Sequence, residues 1–198
     1  MEKTIFLFQR HKNRDKRDFA NHYTRNHAPL GTRVVRSLLG YTVNIIDAEG
    51  GLDAITEHWL AQASDLLDPE ISYATREDYE AVVADDRTLF DSNALYVVTD
   101  ITEHGGPLQG SPLGEQNPET KCIWLYADAA KAPPPPAGAR RVIDNHVAYK
   151  LVFDGAERRQ VAPEYRLIRM AWGGGITPDA EAIVVREFPF VAEPEWPH

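Results

Sequence analysis

The sequence predicts an α+β fold made of two tandem units, the second of them degenerate. Three observations predict it. Strand-like and helix-like segments alternate over the first half in the order β-α-β-β-α-β, the split βαβ arrangement of a ferredoxin-like unit. Residues 104–119 then hold four glycines and three prolines among polar residues, which reads as a linker or long surface loop. Four further strand-like runs follow at similar intervals. The expected boundaries are 1–105 for the first unit, 106–120 for the linker and 121–198 for a strand-rich second unit.

Residues 4–9 are β-branched and aromatic, as a buried strand requires. The period changes at Asp18-Phe19. Phe19, Tyr23 and Leu30 fit a helical stripe, and Val34, Val35, Leu38 and Leu39 carry it to Gly40, a C-cap. Pro29 interrupts this segment, so two short helices or one kinked helix are expected. Residues 41–46 read as the second strand, 47–51 as a turn and 52–60 as the third strand. Residues 73–84 look helical, with Thr75 as cap and Asp78 three residues on. Residues 95–99 are the fourth strand. In the second half, strands are expected at 121–126, 142–153, 165–172 and 182–188. Asp144-Asn145-His146-Val147 faintly echoes Thr42-Val43-Asn44-Ile45.

Composition narrows the function. Of the 198 residues 43% are apolar and 26% charged, enough for a packed core. The net charge of -9 repels phosphate backbones, so nucleic acid is not expected as a partner. The basic run from Arg10 to Arg17 is interrupted by Asp15 and reads as a solvated loop and helix start. No run approaches the ~18 apolar residues of a membrane span, and the first residues lack a signal-peptide pattern, so a cytoplasmic protein is expected. The one cysteine, Cys122, lies inside an apolar strand and reads as a structural thiol. Four consecutive prolines, 133–136, read as a stiff spacer.

No nucleotide-binding glycine motif, nucleophile elbow or metal spacing is present. His22 and His27 are five residues apart, about 500° round an α-helix, and are not expected to share a face. Any chemistry is therefore expected to run on acid–base groups, and three clusters carry them. Residues 21–30 place His22, His27, Tyr23 and Arg25 around a helix end. In residues 53–60, strand alternation puts Asp53, Ile55, Glu57 and Trp59 on one side, and Ala54, Thr56, His58 and Leu60 on the other. The first side suits a cavity, with a carboxylate beside an indole that would raise its pKa. The second suits packing under helices. A pairing of Glu57 with Arg10 is the structural alternative. The third cluster, residues 85–91, holds Asp85, Asp86, Phe90 and Asp91, and reads as structural more than catalytic.

Taken in order, the strand ending in Arg10, Phe19, His27-Ala28-Pro29-Leu30, Tyr41-Thr42-Val43-Asn44, residues 53–60 and residues 85–91 resemble the EthD family over residues 3–102. Tyr23 stands where that family often has tryptophan. The resemblance implies a ferredoxin-like dimeric α/β barrel with a pocket between sheet and helices, and a homodimer as its assembly. It also implies relatives among polyketide cyclases, dehydratases, cofactorless monooxygenases and lactone isomerases. The expectation is a lyase, dehydratase or isomerase acting on an aromatic or polyketide-like small molecule. His27 and Glu57 are its expected proton-transfer groups, and Arg10, His22, Tyr23, Asn44 and Trp59 its substrate contacts. No cofactor and no metal are expected. The alternatives are a haem- or hydrophobic-ligand-binding module and a cofactor-independent monooxygenase.

Overall fold

The computed structural model describes residues 1–106, 108, 110–154 and 157–194. Strand β1 (Glu2–Arg10) leads into helix α1 (Lys16–His22), a π-helical turn (Tyr23–His27) and helix α2 (Ala28–Val34). Strands β2 (Gly40–Ile46) and β3 (Ala54–Leu60) follow. Next come the short helix α3 (Pro69–Ser72), helix α4 (Arg76–Leu89) and strand β4 (Phe90–Gly105). Thr75 caps α4 as expected: its side chain accepts from the Asp78 amide at 3.1 Å. The second half supplies β5 (Lys121–Tyr126), β6 (Arg141–Asp154), β7 (Glu157–Val161), β8 (Leu167–Trp172) and β9 (Ile183–Val191). Among the described residues its helical content is one 3-10 turn, Ala129–Lys131. No helix among the described residues is long and apolar enough to cross a membrane.

Every strand pairing is antiparallel. The order β4-β1-β3-β2-β9-β5-β8-β6 closes on itself because β6 returns to β4, and β7 hangs from β6 outside the ring. Closure explains why β4 runs far beyond the expected 95–99. Its second part finds a partner in β6, from Leu95 opposite Leu151 to Gly105 opposite Arg141. Closure gives each of the eight ring strands two neighbours and leaves the free edge to β7.

The ring has an internal two-fold pattern. Strand β1 lies between β3 and β4 as β5 lies between β8 and β9. Strand β2 crosses to β9 as β6 crosses to β4. Thus the second unit is a helix-poor copy of the first, and one chain builds the barrel that two chains form in a dimeric barrel. The echo in sequence has a structural counterpart. Asn44 and Asn145 are both fully buried, and each donates its amide to a facing strand, at Ile55 O (2.9 Å) and Ile168 O (2.8 Å).

Alternation splits the core into two layers. Inside the barrel pack Ile5, Leu7, Ile55, Tyr96, Ile123 and Met170. Outside, between the first-unit strands and the helices, pack Phe8, Phe19, Tyr23, Tyr41, Ala54 and Leu89.

Candidate active site

Between the outer face of β1, β2, β3 and β4 and the helices lies a cavity of about 510 Å³, within the usual range for a small-molecule site. Phe6, Phe8 and Phe90 give it an aromatic wall. Phe8 stacks on Phe90 with ring centroids 4.0 Å apart, and His27 meets the Phe90 ring edge-on at 5.5 Å.

His27 is placed there by a local irregularity in the helix. Pro29 has no amide hydrogen to offer the carbonyl four residues back. The chain widens into a π turn, in which the Ala28 amide bonds to Tyr23 O, five residues back. The wider turn overrides the α-helical expectation that His22 and His27 face apart. His22 Nε2 lies 2.7 Å from Asp85 Oδ1, and His27 Nδ1 lies 2.8 Å from Asp85 Oδ2. Partial burial alone would lift Asp85, but the hydrogen bonds from His27 and His22 outweigh it and hold the carboxyl below its ordinary range. With Nδ1 donating to this carboxylate, His27 turns Nε2 toward Asp86, whose Oδ1 is 3.5 Å away. Burial raises the Asp86 carboxyl, with Asp85 adding to the rise and His27 opposing it. One imidazole is thus oriented by one carboxylate and faces a second that holds its proton more tightly.

The rest of the polar wall carries Arg87 and Asp91 together with the neutral groups of Tyr23, Tyr41, His58, Ser92 and Asn93. The hydroxyls of Tyr23 and Thr56 are 2.6 Å apart, and burial pushes the Tyr23 phenol far up. Tyr41 is raised by the same cause and stacks on His58 at 4.8 Å. Burial drives His58 down to about 3, with the charge of His27 adding to the fall, so it stays neutral at working pH.

The expectation that His27 and Glu57 share one hollow is overturned. Alternation along β3 holds as read from the sequence, and it sends Glu57 to the barrel interior while His58, on the opposite face, lines the cavity. Glu57 does not pair with Arg10. Its Oε2 lies 2.7 Å from Lys3 Nζ, and its Oε1 accepts from Lys121 Nζ (2.6 Å) and Asn44 (2.9 Å). Burial by itself would raise Glu57, but Lys121 and then Lys3 outweigh it and hold it well below the usual range. The raised pKa expected from a neighbouring indole is therefore reversed by two lysines. Each lysine also covers a tryptophan, Lys3 over Trp59 (4.5 Å) and Lys121 over Trp172 (4.4 Å), in keeping with the two-fold pattern. Lys3 donates to Asn145 in the other unit at 2.9 Å. The symmetric bond from Lys121 to Asn44 is missing. Lys121 turns instead to Glu57 and to Glu187 (2.7 Å), and Asn44 Oδ1 has no hydrogen-bond partner among the described residues.

Of the seven expected site residues, the structure thus brings together His22, His27 and Tyr23. Asn44, Glu57 and Trp59 form a separate cluster in the barrel. Arg10 is in neither, because its amide and guanidinium are both bound to Asp53.

Models of known protein families give no match to this chain, and neither do the curated proteins. Among solved structures, one described as the crystal structure of an anthrone oxidase-like protein superposes with a TM-score of 0.53 at 10% identity. The alignment covers 96% of this chain and 93% of that one. The likeness is one of fold. The chain is an α+β barrel. At this identity the neighbour carries over no residue roles, and no family model supports the resemblance to EthD.

Sequence reasoning missed Asp85 and Asp86 as part of the site, and did not place Tyr41, His58 or Phe90 in it, reading His58 as part of a face that packs under helices. The available signal was the pair of adjacent acids near the end of α4, within a stretch that the family resemblance had already marked. No group of three metal-ligating side chains occurs among the described residues. For haem the fit is poor. His27 has a carboxylate against each nitrogen, and the barrel interior is filled by apolar side chains and the buried ion pairs. What the cavity offers is a held imidazole, a second acid, the charged side chains of Arg87 and Asp91 and neutral hydroxyls around an aromatic wall.

Proposed function

We propose that this protein is a small-molecule enzyme in which His27 moves a proton on an aromatic or polyketide-like substrate, in a lyase, dehydratase or isomerase reaction. One observation carries this reading: the imidazole at the cavity wall is held through Nδ1 by Asp85 at 2.8 Å, the arrangement that orients a general base. The substrate's rings would lie against Phe6, Phe8 and Phe90. His27 Nε2 would take a proton from carbon next to a carbonyl, with Asp86 beside it to help return one. His22 braces Asp85 rather than touching substrate.

Exchange of hydrogen for deuterium at the acidic carbon of 2-tetralone in heavy water, followed by NMR, tests the base without requiring the natural substrate. Wild-type protein should speed exchange by at least about 10²-fold over His27→Ala, the low end of what general-base catalysis supplies. Equal rates in the two proteins would remove the role.

A second reading, cofactor-independent oxygenation, draws support from the anthrone oxidase-like neighbour. The same proton abstraction would give a carbanion that molecular oxygen attacks. Oxygen uptake with a hydroxylated anthrone, abolished in His27→Ala, would separate it from the first reading.

A further inference from the structure

A second cavity, of about 730 Å³, opens at the end of the barrel and shares no wall residue with the His27 cavity. The indoles of Trp59 and Trp172 line it, with Ile101 and Ile143. Its positive charge comes from Arg141, whose guanidinium lies over the Trp172 ring at 5.3 Å. Two carboxylates hold that guanidinium, and they are of different kinds. Glu103, bound to Nε at 2.7 Å, belongs to β4 in the barrel wall, paired with the strand that carries Arg141. Glu193, bound to Nη1 at 2.9 Å, lies beyond the end of β9 in the C-terminal tail, outside any ladder. The tail is closely seated. A Cβ on Gly40 would come within 2.7 Å of Pro194 Cδ and 2.9 Å of the Trp59 ring.

A carboxylate on the tail beyond β9 therefore occupies the guanidinium next to an indole face and a hollow of ligand size. Exchanging Glu193 for another carboxylate leaves the charge of the site unchanged. The deeper Glu187 would not repel it, because Lys121 lies 2.7 Å away and neutralises it. The same cavity holds an unused polar group, the buried Ser111 hydroxyl, which has no hydrogen-bond partner among the described residues.

We propose that the barrel mouth is a second binding site, for a planar aromatic carboxylate, and that Glu193 fills the place of its carboxylate on Arg141 until the ligand displaces it. The ring system would lie against Trp172 and Trp59, and the carboxylate would take the Nη1 side of Arg141.

Titration calorimetry of the full chain with 2-naphthoate and its uncharged isostere 2-naphthamide tests this. Glu193→Gln should bind 2-naphthoate at least about tenfold more tightly than wild type and leave 2-naphthamide within about twofold, since the gain is charge-assisted. Adding Arg141→Gln should remove the gain. Arg141→Lys, which keeps the charge and loses the fork, should remove most of it and serves if the glutamine variant does not fold. Unchanged 2-naphthoate affinity in Glu193→Gln, an equal gain for 2-naphthamide, or a gain that survives loss of Arg141 would each overturn the proposal.

Discussion

His22 and His27, five residues apart, hold the two oxygens of one carboxylate, Asp85, at 2.7 and 2.8 Å. An α-helix would turn them apart, and the π turn brings them together. Asp85→Asn keeps the shape of this contact but gives His27 an amide that can bond to either tautomer. Deuterium exchange should fall about 10²-fold, with substrate affinity little changed, because orientation of the base is lost while the aromatic wall stays. Loss of affinity with an unchanged exchange rate at saturation would show that Asp85 shapes the cavity only.

Glu57 is a structural residue in this arrangement. Glu57→Gln would leave Lys3 and Lys121 buried with their shared partner neutralised. A cost of about 3–5 kcal/mol is expected, as for removal of one member of a buried ion pair. Urea unfolding should show it as a lowered midpoint with an unchanged slope. Exchange activity of the folded fraction should match wild type. A stable but inactive Glu57→Gln would return Glu57 to the catalytic machinery.

Acidification should destabilise the protein in a window set by His58. Its folded pKa of about 3 lies below the ordinary value of 6.5, so the unfolded chain takes up the proton first. The contribution is complete above about pH 6.5 and is lost progressively as pH falls toward 3. Between pH 6.5 and 5 most carboxylates are still ionised, and comparison with a His58 variant subtracts the other six histidines. His58→Gln should show a flatter dependence than wild type over that interval. Parallel curves would mean that His58 is protonated in the folded state.

Tyr23→Phe removes a buried hydroxyl and leaves the Thr56 oxygen beneath it unpaired. The expected cost is about 1–3 kcal/mol, the penalty of a buried hydroxyl left without its partner, read as a drop in melting temperature. The aromatic contacts of the ring with Phe8, Phe19 and Phe90 survive the change. A loss several times larger would mean that the hydroxyl anchors the wider polar wall.

Much of the architecture was legible because it rests on local pattern. Runs of β-branched, aromatic and apolar residues located β1, β2, β3 and β5, and period-two alternation gave the two faces of β3 correctly, since neighbouring side chains on a strand must point opposite ways. Thr75 announced α4 by the capping chemistry of its hydroxyl. The extension of β4 over residues 100–105 was not legible, because it is a strand only by virtue of β6, whose paired residues lie 46 to 36 positions away in sequence, from Asp100 opposite His146 to Gly105 opposite Arg141.

The candidate site divides in the same way. His27, His22 and Tyr23 could be found as a cluster because one short segment carries them. Their shared partner Asp85 comes from a helix 58 residues beyond His27, and no local pattern links the two. Glu57 was placed on the correct face, but its neighbours were not foreseen. Lys3 comes from β1, and Lys121 comes from the second unit across the closed ring.

The sequence by itself determined which residues alternate, where helices start and that an acid–base cluster sits near Pro29, since these depend on bonded geometry and near neighbours. Only the tertiary structure decided that the barrel closes within one chain, and that Glu57 and His27 lie on opposite sides of its wall. Closure brings together groups far apart along the chain, and their electrostatic coupling depends on distance in space.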